Sequence, residues 1–108
     1  MKGNRVLLIG YVGQHLATQK LDNGGKRVGI RMATHYNYKN KKGEKVDTTV
    51  WHNVVAWDGT ADYAERSFVK GSKIMVEGML DYRQFRNKEG KMIYRTHIKA
   101  ASLMNLDR

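Results

Sequence analysis

The sequence predicts an all-β fold of five strands, with one short helix between the third strand and the fourth. Segments rich in β-branched and aromatic residues, separated by polar turns, occupy most of the 108-residue chain. The chain has eleven glycines and no proline, and the glycines mark most of the turns between these segments. One stretch, residues 58–69, differs, because it begins with a helix-capping aspartate and contains two alanines and a glutamate that favour helix.

The predicted elements follow one another between recognisable turns. In the second strand Val28, Ile30 and Met32 share one face while two arginines lie on the other, which is typical of a half-buried strand. Gly10 and Gly13 lie where the first strand can bend or approach a neighbour closely. The strands are predicted at residues 4–12, 27–34, 48–57, 73–86 and 92–106, with hairpin tips at 39–45 and 87–91 and a turn at 21–26.

Five strands with regular turn spacing and a helix after the third indicate an OB-fold, a partly open Greek-key barrel. The length suits one domain covering residues 1–108, and we expect no acidic C-terminal tail. The chain has no cysteine, which excludes disulfides and thiolate metal sites. No apolar run approaches the roughly 20 residues of a membrane helix. We therefore expect a cytoplasmic protein without a membrane partner.

The charge balance is the first indication of function. Lysine and arginine number 20, whereas aspartate and glutamate number 10, so the formal net charge is +10. Such an excess indicates a polyanionic partner. A basic surface that serves solubility alone is the alternative. An anionic membrane is disfavoured as the partner, because no segment has the pattern of a basic amphipathic helix.

Several aromatic residues lie where a core does not account for them. In the third strand Trp51 and Trp57 alternate to one face, while His52 and small apolar residues take the other. Tyr38 precedes the lysine-rich hairpin tip, and Phe85 lies between two arginines. Aromatic rings among cations suit single-stranded nucleic acid, because every base has a face that can stack. Periodicity alone leaves a core or subunit-interface role for the tryptophans as the alternative.

At these residues the sequence resembles the bacterial single-stranded-DNA-binding protein family. Residues 49–57, Thr-Val-Trp-His-Asn-Val-Val-Ala-Trp, are similar to the family signature Thr-Glu-Trp-His-Arg-Val-Val-x-Phe. Further matches occur in the expected order, so the resemblance runs from about residue 4 to about residue 104. They are the opening strand at 4–10, the turn at 23–25, Met-Ala-Thr at 32–34, and Val-Lys-Gly-Ser at 69–72 with Val-Glu-Gly at 76–78.

The resemblance implies both a function and a set of site residues. It implies an OB-fold that binds and protects single-stranded DNA, without sequence preference, in replication, recombination and repair. It also implies a homotetramer that is a dimer of dimers, with dimers that pair through the first strand, a subunit-interface position for His52, and a bacterial protein associated with the nucleoid. The implied base-stacking residues are Tyr38, Trp51, Trp57 and Phe85, and the cations that match basic family positions are Arg5, Lys39, Lys70 and Arg83.

The sequence departs from the family pattern at some cations and at its end. Asn53, Asp81 and Gln84 stand where relatives carry arginine or lysine. Relatives usually continue into a tail whose acidic tip recruits replication and repair enzymes, so we expect such partners only if the native chain has that tail. Cations of the hairpin tips are expected to supply the missing phosphate contacts: Lys41, Lys42, Lys45, Arg86, Lys88 and Lys91.

No group of residues has the spacing of a catalytic or metal site. The four histidines do not pair at metal-ligand spacing, and the glycines at 24 and 25 do not begin a phosphate-binding loop. We therefore predict a protein that is not an enzyme and has no cofactor or metal. The alternatives to single-stranded DNA binding are a primosomal or RNA-binding OB module, or an interaction subunit whose aromatic face docks a protein.

Overall fold

Strands dominate the structure, as the alternation of apolar and polar residues predicts. The computed structural model describes residues 3–14 and 16–107, so residues 1, 2, 15 and 108 of the predicted domain lie outside the description. The elements are β1 (Val6–Val12), β2 (Ala17–Lys20), β3 (Lys26–Lys39), β4 (Lys45–Trp57), α1 (Asp58–Ser67), β5 (Lys73–Arg86) and β6 (Met92–Asn105).

The predicted place of the helix, between the third strand and the fourth, is wrong because one strand was missed. The short strand β2 pairs with the start of β3, so α1 lies between β4 and β5. The helix does follow the predicted tryptophan-bearing strand, which is β4. All four side chains of β2 are exposed. The strand therefore has no alternation of apolar and polar residues by which the sequence could reveal it.

Five of the strands close a barrel. Along most of its length β1 pairs with β5, and at Tyr11 and Val12 it pairs with β3. A parallel contact at Val54 and Val55 joins β4 to β6. The order β1-β5-β6-β4-β3 therefore returns to β1, and β2 continues along the same edge of β3. This closed Greek-key arrangement with one helix is the predicted OB-fold.

Gly10 permits the close approach that closes the barrel, which confirms the prediction for that position. A Cβ atom on Gly10 would overlap the carbonyl oxygen of Ala33 on β3. Gly78 has the same role where β5 meets β6, because a Cβ there would overlap the carbonyl oxygen of Lys99. The register of β5 and β6 shifts at this point. Both glycines thus let backbones approach where a side chain would separate them.

The core lies inside the barrel and continues beneath the helix. Val28, Ile30 and Met32 are buried, as their alternation predicts, and Arg31 between them is exposed. Full burial of such a side chain is worth about 1.5–3 kcal/mol. Ala61 and Ala64 bring the helix close to the barrel. The buried cluster comprises Val12, Val28, Ile30, Met32, Val54, Ala56, Ala61, Ala64, Phe68, Ile74, Val76, Ile98 and Ala100.

Two hairpins extend beyond the barrel. We call them the β3–β4 arm, which is the paired end of β3 and β4 around the turn at 40–44, and the β5–β6 arm, which is the paired end of β5 and β6 around the turn at 87–91. Val50 has inward-facing parity, yet it is 36% exposed because it lies in the β3–β4 arm, beyond the contact that joins β4 to β6 at Val54. Each arm ends in a turn whose asparagine side chain accepts two backbone hydrogen bonds, Asn40 in the first and Asn87 in the second. These asparagines hold both tips in a defined shape.

Lys26 joins the start of β3 to the helix. Its Nζ lies 2.6 Å from a carboxylate oxygen of Asp62 and 2.6 Å from one of Glu65. The hydroxyl of Thr18 also donates to Glu65, at 2.7 Å. These hydrogen bonds raise the pKa of Lys26 and lower the pKa values of Asp62 and Glu65. The strand that the sequence did not reveal is thereby tied to the helix.

Candidate nucleic-acid interface

A groove crosses the outer face of the barrel between the two arms. Its deeper part has a volume of about 670 Å³, and an adjoining cleft of about 440 Å³ shares Arg27, Arg83 and His97 with it. Val55 lies buried at its base, although its parity is that of the outer face. We call this surface the arginine groove and define it by its lining residues Arg27, Arg31, Asn53, Val55, Trp57, Arg83, Phe85, Arg95, His97 and Lys99, together with Trp51, whose ring lies beside Arg31 of the lining.

Strand register places the groove's arginines beside its aromatic rings. Arg27 is the Cα partner of Trp57, and Arg31 is the partner of Asn53, two pairs along the strands from Trp51. On β5 and β6, Arg83 and Arg95 are partners, two pairs along the strands from Phe85. Since residues on one face of a strand recur at every second position, these side chains all project outward.

Each of three rings is covered by a guanidinium group. The Cζ atom of Arg31 lies 5.1 Å from the ring centroid of Trp51. The corresponding distance is 5.8 Å from Arg27 to Trp57 and 5.7 Å from Arg95 to Phe85. These distances are within the range of cation–π attraction. The rings remain 48%, 37% and 38% exposed for Trp51, Trp57 and Phe85, so the groove presents aromatic surface and positive charge together.

Gly13 positions the ring of Trp51. A Cβ atom on Gly13 would overlap the six-membered part of that ring. The backbone N–H of Gly13 donates to the carbonyl oxygen of Arg31 at 2.8 Å, which fixes the glycine beside the same arginine that covers the ring. The prediction of a close approach at Gly13 is confirmed, and its partner is a side chain of the candidate site.

Tyr38 lies apart from the other predicted stacking residues. It pairs with Val46 in the β3–β4 arm, and its parity places it on the sheet face opposite Trp51. Its ring centroid is 6.4 Å from that of Tyr36, and both rings are about half exposed. The structure thus brings Trp51, Trp57 and Phe85 to one groove and leaves Tyr38 on an arm outside it.

The predicted phosphate-contacting cations occupy several surfaces. Arg83 lines both parts of the groove. Arg86 has the opposite parity in the β5–β6 arm, where its Nη1 donates to the carbonyl oxygen of Gly90 at 3.3 Å. Arg5 forms an ion pair with Glu77, away from the residues that line the groove. The four lysines lie at turns or a strand end: Lys39, Lys41 and Lys42 at the tip of the β3–β4 arm, and Lys70 after the helix.

Two histidines have lowered pKa values for the same main reason. Burial lowers the pKa of His52, whose Nε2 lies 2.9 Å from the hydroxyl oxygen of Thr34. Burial also lowers the pKa of His97; nearby Asp81 opposes this, whereas Arg27 and Arg83 add to it. His97 faces the groove, while His52 lies on the inward-parity face of β4, where the arm leaves the barrel. Both side chains favour the neutral form near neutral pH.

A second exposed apolar surface lies on the outer side of β1. Leu7, Ile9 and Tyr11 are 54%, 52% and 43% exposed, and they share one face of the strand. Ile9 pairs with Met75 of β5, which in turn pairs with Met104 of β6. We call this surface the β1 face. It lies on a different part of the barrel from the arginine groove.

Sequence reasoning missed four of the groove's cations: Arg27, Arg31, Arg95 and Lys99. Arg27, Arg31 and Arg95 were not among the predicted phosphate contacts, although each one covers a ring. The alternation of β3 does place Arg27 and Arg31 on its outer face, and that signal could have identified them. Arg31 is the Cα partner of Asn53, so a cation lies beside the position at which the sequence departs from the family pattern.

Among the residues that the structure describes there is neither a group of metal-binding side chains nor a membrane-spanning helix. Among them, no three histidine, aspartate or glutamate side chains are grouped so as to hold a metal ion. Residues 3–14 and 16–107 include no helix long and apolar enough to cross a membrane. The rings and guanidinium groups of the groove offer two kinds of interaction, aromatic stacking and contact with anions.

An OB-fold with a groove of rings and cations is typical of the class of domains that bind single-stranded nucleic acid. The model of the single-strand binding protein family matches residues 3–106. The chain therefore belongs to that family. A curated relative, single-stranded DNA-binding protein 1 of Chlorobaculum tepidum, is 32% identical over 104 residues. The aligned region covers 95% of this chain but 64% of the relative, so the chain spans about two thirds of that protein's length.

Solved structures show the same fold. The structure titled as the Plasmodium falciparum SSB complex with ssDNA superposes with a TM-score of 0.90 at 26% identity, covering 99% of this chain and 97% of that one. The small single-stranded DNA-binding protein of Streptomyces coelicolor gives a TM-score of 0.73 at 24% identity, covering 97% and 95%. At that lower identity the second likeness supports the fold alone.

Proposed function

We propose that this protein binds single-stranded DNA without sequence preference and has a binding rather than a catalytic role. The observation that carries the proposal is the arginine groove, in which three exposed rings each lie beside a guanidinium group. Stacking on such rings is worth about 1–3 kcal/mol per base and tolerates any base. The arginines would contact phosphates and release counterions as they do so.

Family membership supports the same proposal. The Chlorobaculum tepidum relative is named a single-stranded DNA-binding protein, and the Plasmodium falciparum protein was solved with single-stranded DNA. By extension, this chain would protect exposed strands during replication, recombination and repair in the bacterial cytoplasm, at the nucleoid. Recruitment of other enzymes would depend on parts of the native protein beyond the OB-fold.

The strand would follow the groove and continue onto the arms. Trp51, Trp57 and Phe85 would stack bases within the groove, and Arg83 would meet the phosphates between them. Tyr38 would stack a base where the strand passes onto the β3–β4 arm. The remaining predicted cations would contact phosphates beyond the groove: Arg5, Lys39, Lys41, Lys42, Lys70 and Arg86.

The protein would work as a homotetramer composed of two dimers. The β1 face supports this proposal, because a row of half-exposed Leu7, Ile9 and Tyr11 resembles the apolar centre of a subunit interface. Dimers would pair through β1, and His52 would lie at a subunit interface. Four copies of a chain with net charge +10 would surround the strand with positive charge.

Titration with oligo(dT) tests the proposed activity, with tryptophan fluorescence as the signal. Bases stacked on Trp51 and Trp57 should quench emission at low salt. The logarithm of the association constant should fall with the logarithm of salt concentration, with a slope of about −0.7 per phosphate contact. Emission that oligo(dT) leaves unchanged at low salt would contradict the proposal.

A matched titration with oligo(rU) separates DNA binding from RNA binding. The groove is lined by rings and cations, and these do not distinguish a deoxyribose from a ribose by recognition of the 2′-hydroxyl group. We expect the DNA oligomer to bind at least as tightly as the RNA oligomer. Clearly tighter RNA binding would instead assign the chain to the RNA-binding alternative. If binding of the oligomers depends only weakly on salt, the result would favour the alternative in which the aromatic face docks a protein.

A further inference from the structure

The covered rings suggest how a strand enters the groove, an inference that rests on the proposed function. We propose that Arg27, Arg31 and Arg95 are exchange residues: each guanidinium covers a ring in the free protein and transfers to a phosphate when a base stacks on that ring. The three arginines thus become nucleic-acid-binding residues, and the polyanionic backbone becomes a requirement for access to the rings.

A base can stack on the covered face of a ring only if the guanidinium moves. Stacked aromatic groups have centroids about 4.5–7 Å apart, and the three Cζ atoms lie 5.1–5.8 Å from the ring centroids. A base on the covered face would therefore occupy the space that the guanidinium holds. At Trp51, moreover, Gly13 already contacts the six-membered part of the ring, so space around this ring is limited on a second side.

The three arginines have no competing partner. No ion pair within 4.0 Å holds any of them among the side chains described, whereas Arg5 is paired with Glu77. Cation–π attraction at an exposed site is modest. A guanidinium that reaches a phosphate gains charge-assisted, often bidentate hydrogen bonds, which are stronger. The exchange is therefore favourable whenever the incoming strand brings phosphates with its bases.

The same reasoning predicts a penalty for a strand without charge. If the backbone is neutral, a stacking base still displaces the guanidinium, but the displaced group finds no anion. The arginines would then oppose binding of the uncharged strand while they assist binding of the natural one. A role limited to holding the rings in position would affect both strands in the same direction.

This contrast is measured with two oligomers of about 16 nucleotides, the upper site size for one OB-fold. One is oligo(dT) and the other is oligo(dT) with methylphosphonate linkages, which are uncharged. The full chain is compared with the single variants Arg31→Ala, Arg27→Ala and Arg95→Ala and with the triple variant. Arg66→Ala serves as the control, because Arg66 is an exposed arginine on α1, outside the groove.

Each single variant should bind oligo(dT) more weakly than the parent. The slope of the logarithm of its association constant against the logarithm of salt concentration should be shallower by about 0.7, and the slope of the triple variant should be shallower by about 2. For the methylphosphonate oligomer, each variant should bind about two- to five-fold more tightly than the parent, the factor that corresponds to one exposed cation–π contact. Arg66→Ala should change neither affinity. Circular dichroism checks that each variant is folded, and the single variants suffice if the triple variant is not.

Weaker binding of both oligomers with unchanged salt slopes would overturn the exchange, because the arginines would then only orient the rings. The same conclusion follows if the methylphosphonate oligomer binds parent and variants equally. Failure of the parent to bind oligo(dT) at low salt is a different result, since it removes the proposed function itself. If the parent binds oligo(dT) and the variants bind both oligomers as the parent does, the exchange is excluded but the proposed function is not.

Discussion

The arginine groove and the β1 face both expose apolar side chains, but their surroundings differ. In the groove Trp51, Trp57 and Phe85 each lie beside a guanidinium that has no ion-pair partner within the described residues. Arg5, near the β1 face, is instead paired with Glu77. Exposed apolar area alone therefore does not distinguish a nucleic-acid surface from a subunit interface. Among the described residues, guanidinium groups lie over the rings of the groove but over none of the β1 face, and this contact makes the distinction.

The largest expected effect tests the β1 face. Ile9→Glu would place a carboxylate in the proposed subunit interface, and a symmetric interface would contain it twice. Burial of an unpaired charge costs several kcal/mol, so the assembly should dissociate. Light scattering would detect the lower mass. Tyr94→Glu is the control, because Tyr94 is 63% exposed but lies in the β5–β6 arm, where it pairs with Gln84. A mass unchanged by Ile9→Glu would show that the β1 face is not the interface.

The next effect tests the groove. Trp51→Ala or Trp57→Ala should each weaken oligo(dT) binding by about 1–3 kcal/mol, because each loses one stacked base. Assembly mass should not change, since neither residue lies on the β1 face. Tyr82→Ala is a suitable control: Tyr82 is 65% exposed but has the opposite parity to Phe85 on β5. Variants that fold and bind like the parent would contradict the assignment of this surface.

A smaller effect is expected at Gly13, which adjoins the groove without contributing a side chain. In Gly13→Ala the new Cβ would force the Trp51 ring to move. Oligo(dT) affinity should fall, but by less than in Trp51→Ala, and the emission spectrum of the free protein should shift. Gly59→Ala is the control, because a Cβ at Gly59 meets nothing within 4 Å. Equal behaviour of the two variants would argue against a positioning role for Gly13.

The smallest effect concerns Lys26, which lies outside both surfaces and should alter stability alone. Asp62 and Glu65 have pKa values lowered from 3.8 and 4.5, and Lys26 has a pKa raised from 10.5. The carboxylates contribute stability at neutral pH that is lost as pH falls through their lowered pKa values. Lys26 contributes stability that is lost as pH rises through its raised pKa.

Thermal unfolding at a series of pH values measures this contribution. In Lys26→Met the melting temperature should depend less steeply on pH at both extremes. The three groups are solvent-exposed, so the change should be small. Binding and assembly mass at neutral pH should match those of the parent. A pH dependence identical in variant and parent would mean that the cluster contributes no measurable stability.

Much of the fold was accessible from local sequence. The strands around Val28 and Val54, both hairpin tips and the helix near Ala61 follow from periodicity, glycine placement and helix propensity, and the structure confirms them. The strand at 17–20 was not accessible, because its side chains are all exposed and its pairing depends on residues after the turn. That omission alone misplaced the helix in the strand count.

The sequence by itself determined the alternation that turns Trp51 and Trp57 away from the core, because strand parity is a local property. It also determined the excess of positive charge. Tertiary structure decided which cation covers which ring and set Tyr38 apart from the groove. It also revealed that Gly13 makes room for Trp51. Such pairings depend on the register between strands that are distant in sequence, and register is set when the whole barrel closes around its core.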